Sequence, residues 1–165
     1  MSKPYRYRLN VRSIKSVVKE VEQRFGVRLS RKASWEALRV DKDREVYVVD
    51  GVPILVRVGD DIYPSILCVE RGLVSLPKVV VDMGAVPHIA NGADVMLPGV
   101  VKVEGVFEEG DIVAVVDERH GRTLAIARSL VSSEEASTLE RGRGFKNIHH
   151  VGDRFWRAMK TYGFV

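Results

Sequence analysis

Few side chains in this sequence are grouped so that they could do chemistry. The densest grouping is Gly84-Ala85 and Gly92-Ala93-Asp94, with His88 and Asn91 between the two corners. Glycine and alanine leave backbone N–H groups without a covering side chain, so a phosphate or ribose can approach closely. His88 and Asn91 add side-chain donors and acceptors suited to a base edge or a ribose. This is chemistry of recognition, not of bond-making. The other groupings are weaker. Asp60-Asp61 and Glu108-Glu109 are adjacent pairs in turns, where neighbouring carboxylates diverge and form no acid/base dyad. Ser132-Ser133 has no base near it in sequence and suits a helix cap. Among His88, His120, His149, His150 and Cys68 no pair has zinc-site spacing. There is no Walker-type phosphate loop. No catalytic residue, metal or cofactor is expected, and the protein is not expected to be an enzyme.

The elements that must position these residues follow from hydrophobic spacing. Tyr5, Tyr7 and Leu9 alternate with Arg6 and Arg8, as in a short strand or arm. Ser13 is placed to cap a helix running to Phe25, with Ile14, Val17, Val18, Val21 and Phe25 on one face and Gly26 just past its end. Lys15 and Lys19, with Arg12, then form a basic outer surface. From Trp35 the pattern turns to strands, and Asp50-Gly51 between 45–49 and 54–58 predicts a hairpin. Beyond Pro77 come short strands at 79–83, 95–97, 100–104, 112–117 and 123–130, the pattern of a small barrel. Ser132-Ser133-Glu134-Glu135 starts a helix that Gly142 and Gly144 stop. Residues 145–151 close the barrel, and 153–162 form a last helix. The expected units are an α+β domain over 1–77, a mostly-β domain over 78–153 and a C-terminal helical tail over 154–165. Met96, Trp35 and Trp156 are expected in cores, His149 in a packing or hydrogen-bonding role, and His150 exposed.

Charge adds a partner class. The 165 residues carry a formal net charge of +4. Residues 1–32 hold ten Lys/Arg against Glu20 and Glu22, and 141–160 hold six against Asp153. The segment 104–118 is acidic. Two basic ends meeting on one side would face a polyanion. Arg128, Arg143 and Lys146 are the candidate phosphate contacts in the second domain. No apolar run approaches the roughly 20 residues of a membrane helix, and no signal peptide is read, so a cytoplasmic location is expected. One Gln and three Asn among many Val, Arg and Glu fit a thermophilic source. The single cysteine, Cys68, lies among Ile66, Leu67 and Val69 and is expected to be a buried thiol.

Several stations taken together resemble one family. They are Gly84-Ala85, Gly92-Ala93-Asp94-Val95-Met96, Pro98-Gly99-Val100, Gly110-Asp111-Ile112-Val113-Ala114-Val115 and Leu124-Ala125-Ile126-Ala127. Gly142-Arg143-Gly144 and Asn147 to Asp153, followed by Trp156, complete the series. The series resembles the PUA domain, an RNA-binding module, with Ala127 where that family usually has glycine. With the basic N-terminal domain and the chain length, the whole resembles the malignant-T-cell-amplified-sequence family and its archaeal relatives, and the N-terminal half of ligatin. The resemblance implies an α+β pre-PUA domain followed by a PUA pseudo-barrel with short helices. It also implies RNA binding (rRNA or the 3′ region of tRNA) on the small ribosomal subunit in initiation, reinitiation or recycling. A partner with a SUI1-type translation-initiation domain would have to be a separate protein. Two other roles fit the same residues: an accessory module delivering tRNA or guide RNA to a modification enzyme, and a protein-interaction module for an initiation-factor-like chain.

Overall fold

The structure is a computed structural model and describes residues 4–165. The chain divides into two compact units, one of Met1–Ser75 with Arg154–Val165 and one of Leu76–Asp153. The C-terminal segment, expected as a separate tail, therefore belongs to the first unit. Its helix, α5 (Arg154–Thr161), turns Phe155, Ala158 and Met159 inward and contacts the strand Arg44–Val49 of that unit. Arg154 pairs with Asp41 at 2.8 Å, and the Tyr162 hydroxyl donates to the Pro4 carbonyl. The second link sets Tyr162 beside Pro4.

The first unit is a five-stranded antiparallel sheet in sequence order. Its strands are β1 (Tyr5–Arg8), β2 (Trp35–Arg39), β3 (Arg44–Val49), β4 (Val52–Val58) and β5 (Asp61–Pro64). The β3–β4 hairpin turns at Asp50 and Gly51, with φ of 48° and 80°. A two-residue turn with both φ positive matches the right-handed twist of its strands, and Asp-Gly accepts it at little cost. Helix α1 (Val11–Phe25) buries Val17, Val18 and Val21. Its cap is Asn10 rather than Ser13, because Asn10 Oδ1 accepts the Ser13 N–H at 2.8 Å and the helix gains a turn before its apolar face begins. Gly26 ends it at φ 68°. Helix α2 (Ile66–Glu70) is capped by Ser65 and holds Cys68 fully buried, where burial pushes the thiol up to about 12.

The second unit is a curled mixed sheet ordered β7-β11-β10-β9-β6-β8. Its strands are β6 (Lys78–Val81), β7 (Val95–Met96), β8 (Val100–Glu104), β9 (Ile112–Asp117), β10 (Thr123–Ser129) and β11 (Arg143–His150). β6 and β9 run parallel and the other neighbours antiparallel. Inside lie Val79, Val81, Ile89, Val113, Val115, Phe107 and Phe145, the last two edge to face at 5.8 Å. Helix α3 (Val86–Ala90) sits between β6 and β7. Helix α4 (Ser133–Thr138) starts in a reciprocal capping box between Ser132 and Glu135. Two carboxylates of the acidic segment are turn caps. Asp111 accepts the Glu108 N–H, and Asp117 accepts those of Arg119, His120 and Arg122.

Gly144 does not end a helix as expected; α4 stops at Thr138 and Gly144 lies within β11. A Cβ there would sit 2.6 Å from Leu97 Cδ2 and 3.1 Å from Leu97 Cγ, so its missing side chain makes room for buried Leu97. Gly144→Ala is expected to destabilise the protein by about 1–3 kcal/mol, the usual cost of overpacking. A lower urea midpoint at unchanged slope is the readout.

Candidate functional site

The corner between β6 and β7 is built from backbone geometry. β6 ends at Val81, and the Asp82 N–H donates to the Gly99 carbonyl at 2.9 Å. This ties the end of β6 to a single 3₁₀ turn, Leu97–Gly99, that precedes β8. Asp82 Oδ1 then accepts the Ala85 N–H at 2.8 Å and sets the entry to α3. The helix is short because Pro87 fits only its first turn and Gly92, at φ 92°, turns the chain away. The Gly92 N–H donates to Ile89 O at 2.9 Å, and the Ala93 N–H to His88 O at 3.0 Å.

These bonds change what the corners offer. The expected cradle of open N–H groups is largely closed, since those of Ala85, Gly92 and Ala93 all have backbone or Asp82 acceptors. The small residues serve close packing instead. A Cβ on Gly99 would lie 3.1 Å from the Ala85 Cβ, and one on Gly92 would lie 3.2 Å from His150 Nε2.

Between the corners opens a cavity of about 430 Å³. Its apolar wall includes Ala85, Ile89, Val95, Met96 and Pro98, and its polar groups are Asp82, His88 and Asp94. Met96, expected in the core, is 51% exposed on this wall, because β7 has only two residues and Val95 takes the inward position. Neither lysine nor arginine lines the cavity.

Asp94 is held in place from β11. Its Oδ1 accepts the Asn147 N–H at 2.9 Å, and its Oδ2 accepts Arg143 Nη1 at 3.2 Å. Asn147 returns the link, donating its amide to the carbonyls of Ile89 and Ala93 at 3.2 and 3.0 Å. Asp82 Oδ2 takes no hydrogen bond from any described residue. The lining thus combines an apolar shelf with acceptor oxygens, and Arg143 stands beside Asp94.

Of the residues singled out in sequence, Ala85, His88, Ala93 and Asp94 line the cavity. Gly84, Asn91 and Gly92 lie on the turns around it and are exposed. Arg143 reaches it only through Asp94. Arg128 and Lys146 are register partners on β10 and β11 and are not part of the lining. Arg12, Lys15 and Lys19 are exposed on α1 of the other unit. His149 is buried and paired with Asp153 at 2.8 Å, while the ring of His150 lies against Gly92. Sequence reading placed Met96 in the core, used Pro98, Gly99 and Asn147 only as stations of the family resemblance, and passed over Asp82. Asp82 alone carried a signal: an aspartate placed to take the N–H three residues on, at Ala85.

Comparison with known proteins places this geometry. Residues 77–151 match the PUA domain, and residues 5–72 match a domain of unknown function, DUF1947. An uncharacterised protein of Methanocaldococcus jannaschii is 34% identical over 154 residues, covering 92% of this chain and 94% of that one. The chain belongs to the PUA-domain proteins that carry a DUF1947 region. Translation machinery-associated protein 20 of Saccharomyces cerevisiae is 28% identical over 134 residues, covering 78% of this chain and 74% of its own. Malignant T-cell-amplified sequence 1-A of Xenopus laevis is 25% identical over 146 residues, covering 86% and 80%. A crystal structure of a hypothetical protein from Pyrococcus horikoshii superposes with a TM-score of 0.77 at 35% identity, covering 93% of this chain and 98% of that one. The second unit is thus a PUA pseudo-barrel and the first its α+β pre-PUA region.

The Asp94–Asn147 link is open to direct measurement. Asp94→Ala leaves the part-buried Asn147 N–H without an acceptor and is expected to cost about 1–3 kcal/mol. Faster hydrogen exchange at the Asn147 amide should accompany it. Asp94→Asn keeps an acceptor oxygen and should lose less.

Proposed function

We propose that this protein is a non-catalytic RNA-binding factor of the cytoplasmic translation apparatus, acting on the small ribosomal subunit in initiation, reinitiation or recycling. The observation that carries the RNA-reading part is the cavity of the PUA domain. Its apolar shelf of Ile89, Val95 and Met96 suits the face of a nucleobase, and the oxygens of Asp82 and Asp94 accept from exocyclic amines or ribose hydroxyls. Two carboxylates and no lysine or arginine make it a poor seat for a phosphate. An unpaired nucleotide, such as one at a tRNA 3′ end, enters base first, and its backbone stays outside near Arg143. Exposed Arg12, Lys15 and Lys19 on α1 supply the electrostatic anchor to ribosomal RNA, a contact to phosphates that carries no sequence preference. The translational setting is supported by the similarity to the yeast translation machinery-associated protein. A separate SUI1-type protein is the partner this role would call for.

Sedimentation of the full chain with purified small subunits, large subunits and free tRNA across a salt series tests the role. Selective co-sedimentation with small subunits is expected. Reversal of Lys15 and Lys19 to Glu should weaken it and lower the salt slope by about one for each lost contact. Unchanged binding of that variant would remove the anchor. Tight tRNA binding without subunit binding would instead point to the accessory role in RNA modification.

A further inference from the structure

The sheet of the first unit carries an aromatic and basic row that the RNA-reading cavity does not use. Strand register places Tyr5 opposite Arg39, Arg39 opposite Glu45, and Glu45 opposite Arg57, one lateral row across β1, β2, β3 and β4. Side chains paired in this way share a face of the sheet. Glu45, 3% exposed, organises the row. Its carboxylate accepts the Tyr7 hydroxyl and the Arg57 guanidinium, while Arg39 Nε stands off at 3.8 Å. Burial, and then the bond to Glu45, push the Tyr7 hydroxyl up to about 12, so Tyr7 stays a neutral donor locked in one orientation.

On this fixed ring lies Tyr5, with centroids 5.6 Å apart and ring planes 22° from parallel. One face of Tyr5 is covered by Tyr7, and the residue is still 66% exposed. The Arg39 guanidinium reaches over Tyr7 at 5.7 Å with 53% of its side chain exposed. Arg57 is the close partner of Glu45, so Arg39 is the loosely held cation of the pair. On the other face of β1, Arg6 is tied to Glu36 and stacks on Tyr162 and Phe164, which fixes the strand. Edge strands are commonly blunted with charge. This one presents a rigid, open aromatic ring beside an exposed guanidinium.

We propose that Tyr5, stacked on Tyr7 and flanked by Arg39, is a second RNA contact, a platform on which one unpaired base stacks while Arg39 takes its phosphate. Rings of this kind bind bases without regard to sequence, and a neighbouring arginine adds charge and cation–π attraction. An apolar protein segment fits less well, because the row carries two guanidinium groups against one carboxylate. The platform rests on the reading of the chain as an RNA binder, but it lies in a different unit from the cavity and is tested apart from it.

The test is fluorescence anisotropy of the full chain with a long, unstructured oligoadenylate and with a blunt RNA duplex. Tyr5→Ala should weaken oligoadenylate binding roughly tenfold, the scale of one lost stacking contact, and leave duplex binding unchanged. Tyr5→Phe should bind like the parent, since it keeps the ring. Arg39→Gln should lower the salt slope by about 0.7, one phosphate on a single strand. Asp82→Asn, which alters only the cavity, is measured alongside. If Tyr5→Ala binds as the parent while Asp82→Asn is weakened, the platform is wrong and the cavity stands. A Tyr5→Phe variant as weak as Tyr5→Ala would also overturn stacking. If the parent binds neither RNA, both readings fall together.

Discussion

The arrangement of the PUA unit turns on one carboxylate. Asp94 lies just past the α3 turn and is bound from β11 by the Asn147 N–H, and Asn147 in turn holds the carbonyls of Ile89 and Ala93. These are contacts between residues more than fifty positions apart, and together they clamp the end of a five-residue helix to a strand. So short a helix has no stability of its own. Its position is decided by what ties down its ends: Asp82 at its start, Asp94 and Asn147 at its finish. The cavity between them exists because both ends are fixed.

The same residues set the electrostatics. A carboxylate used as a clamp also shows its oxygens to the cavity, so the site is an acceptor surface next to an apolar shelf. This favours a base or a ribose over a phosphate and leaves the positive charge of the chain to other places. Some of that charge lies on α1, and some lies with Arg39 in the sheet of the first unit. In the proposed function, base recognition and charge anchoring are thus assigned to separate elements, and each can be altered without touching the other.

Much of this was legible in the residues, and what was not has physical reasons. The β3–β4 hairpin could be read because Asp50-Gly51 suits one turn type, and α1 because its apolar spacing has only one helical face. Its cap was misread, since Asn10 and Ser13 are both good caps and the apolar face starts at Ile14. The small residues at Gly84-Ala85 and Gly92-Ala93 were read as bare backbone, whereas the structure uses Ala85 and Ala93 as part of a cavity wall. They were expected to bare N–H groups, but Ala85 and Gly99 are small because two chain segments nearly touch. Met96 was sent to the core because an apolar residue in a strand of unknown register has no visible face. The membership of α5 in the first unit depends on Arg154–Asp41 and Tyr162–Pro4, pairings that sequence order does not reveal.

The central claim is that the cavity beside α3 recognises a base through carboxylate oxygens. The direct measurement is an NMR titration of the protein with nucleoside 5′-monophosphates, following Asp82, His88, Asp94 and the Met96 methyl. The account predicts that AMP and CMP, which carry exocyclic amines, shift these signals at lower concentration than UMP. Inorganic phosphate alone should leave them in place. Equal response to UMP, or the same shifts produced by phosphate, would contradict it.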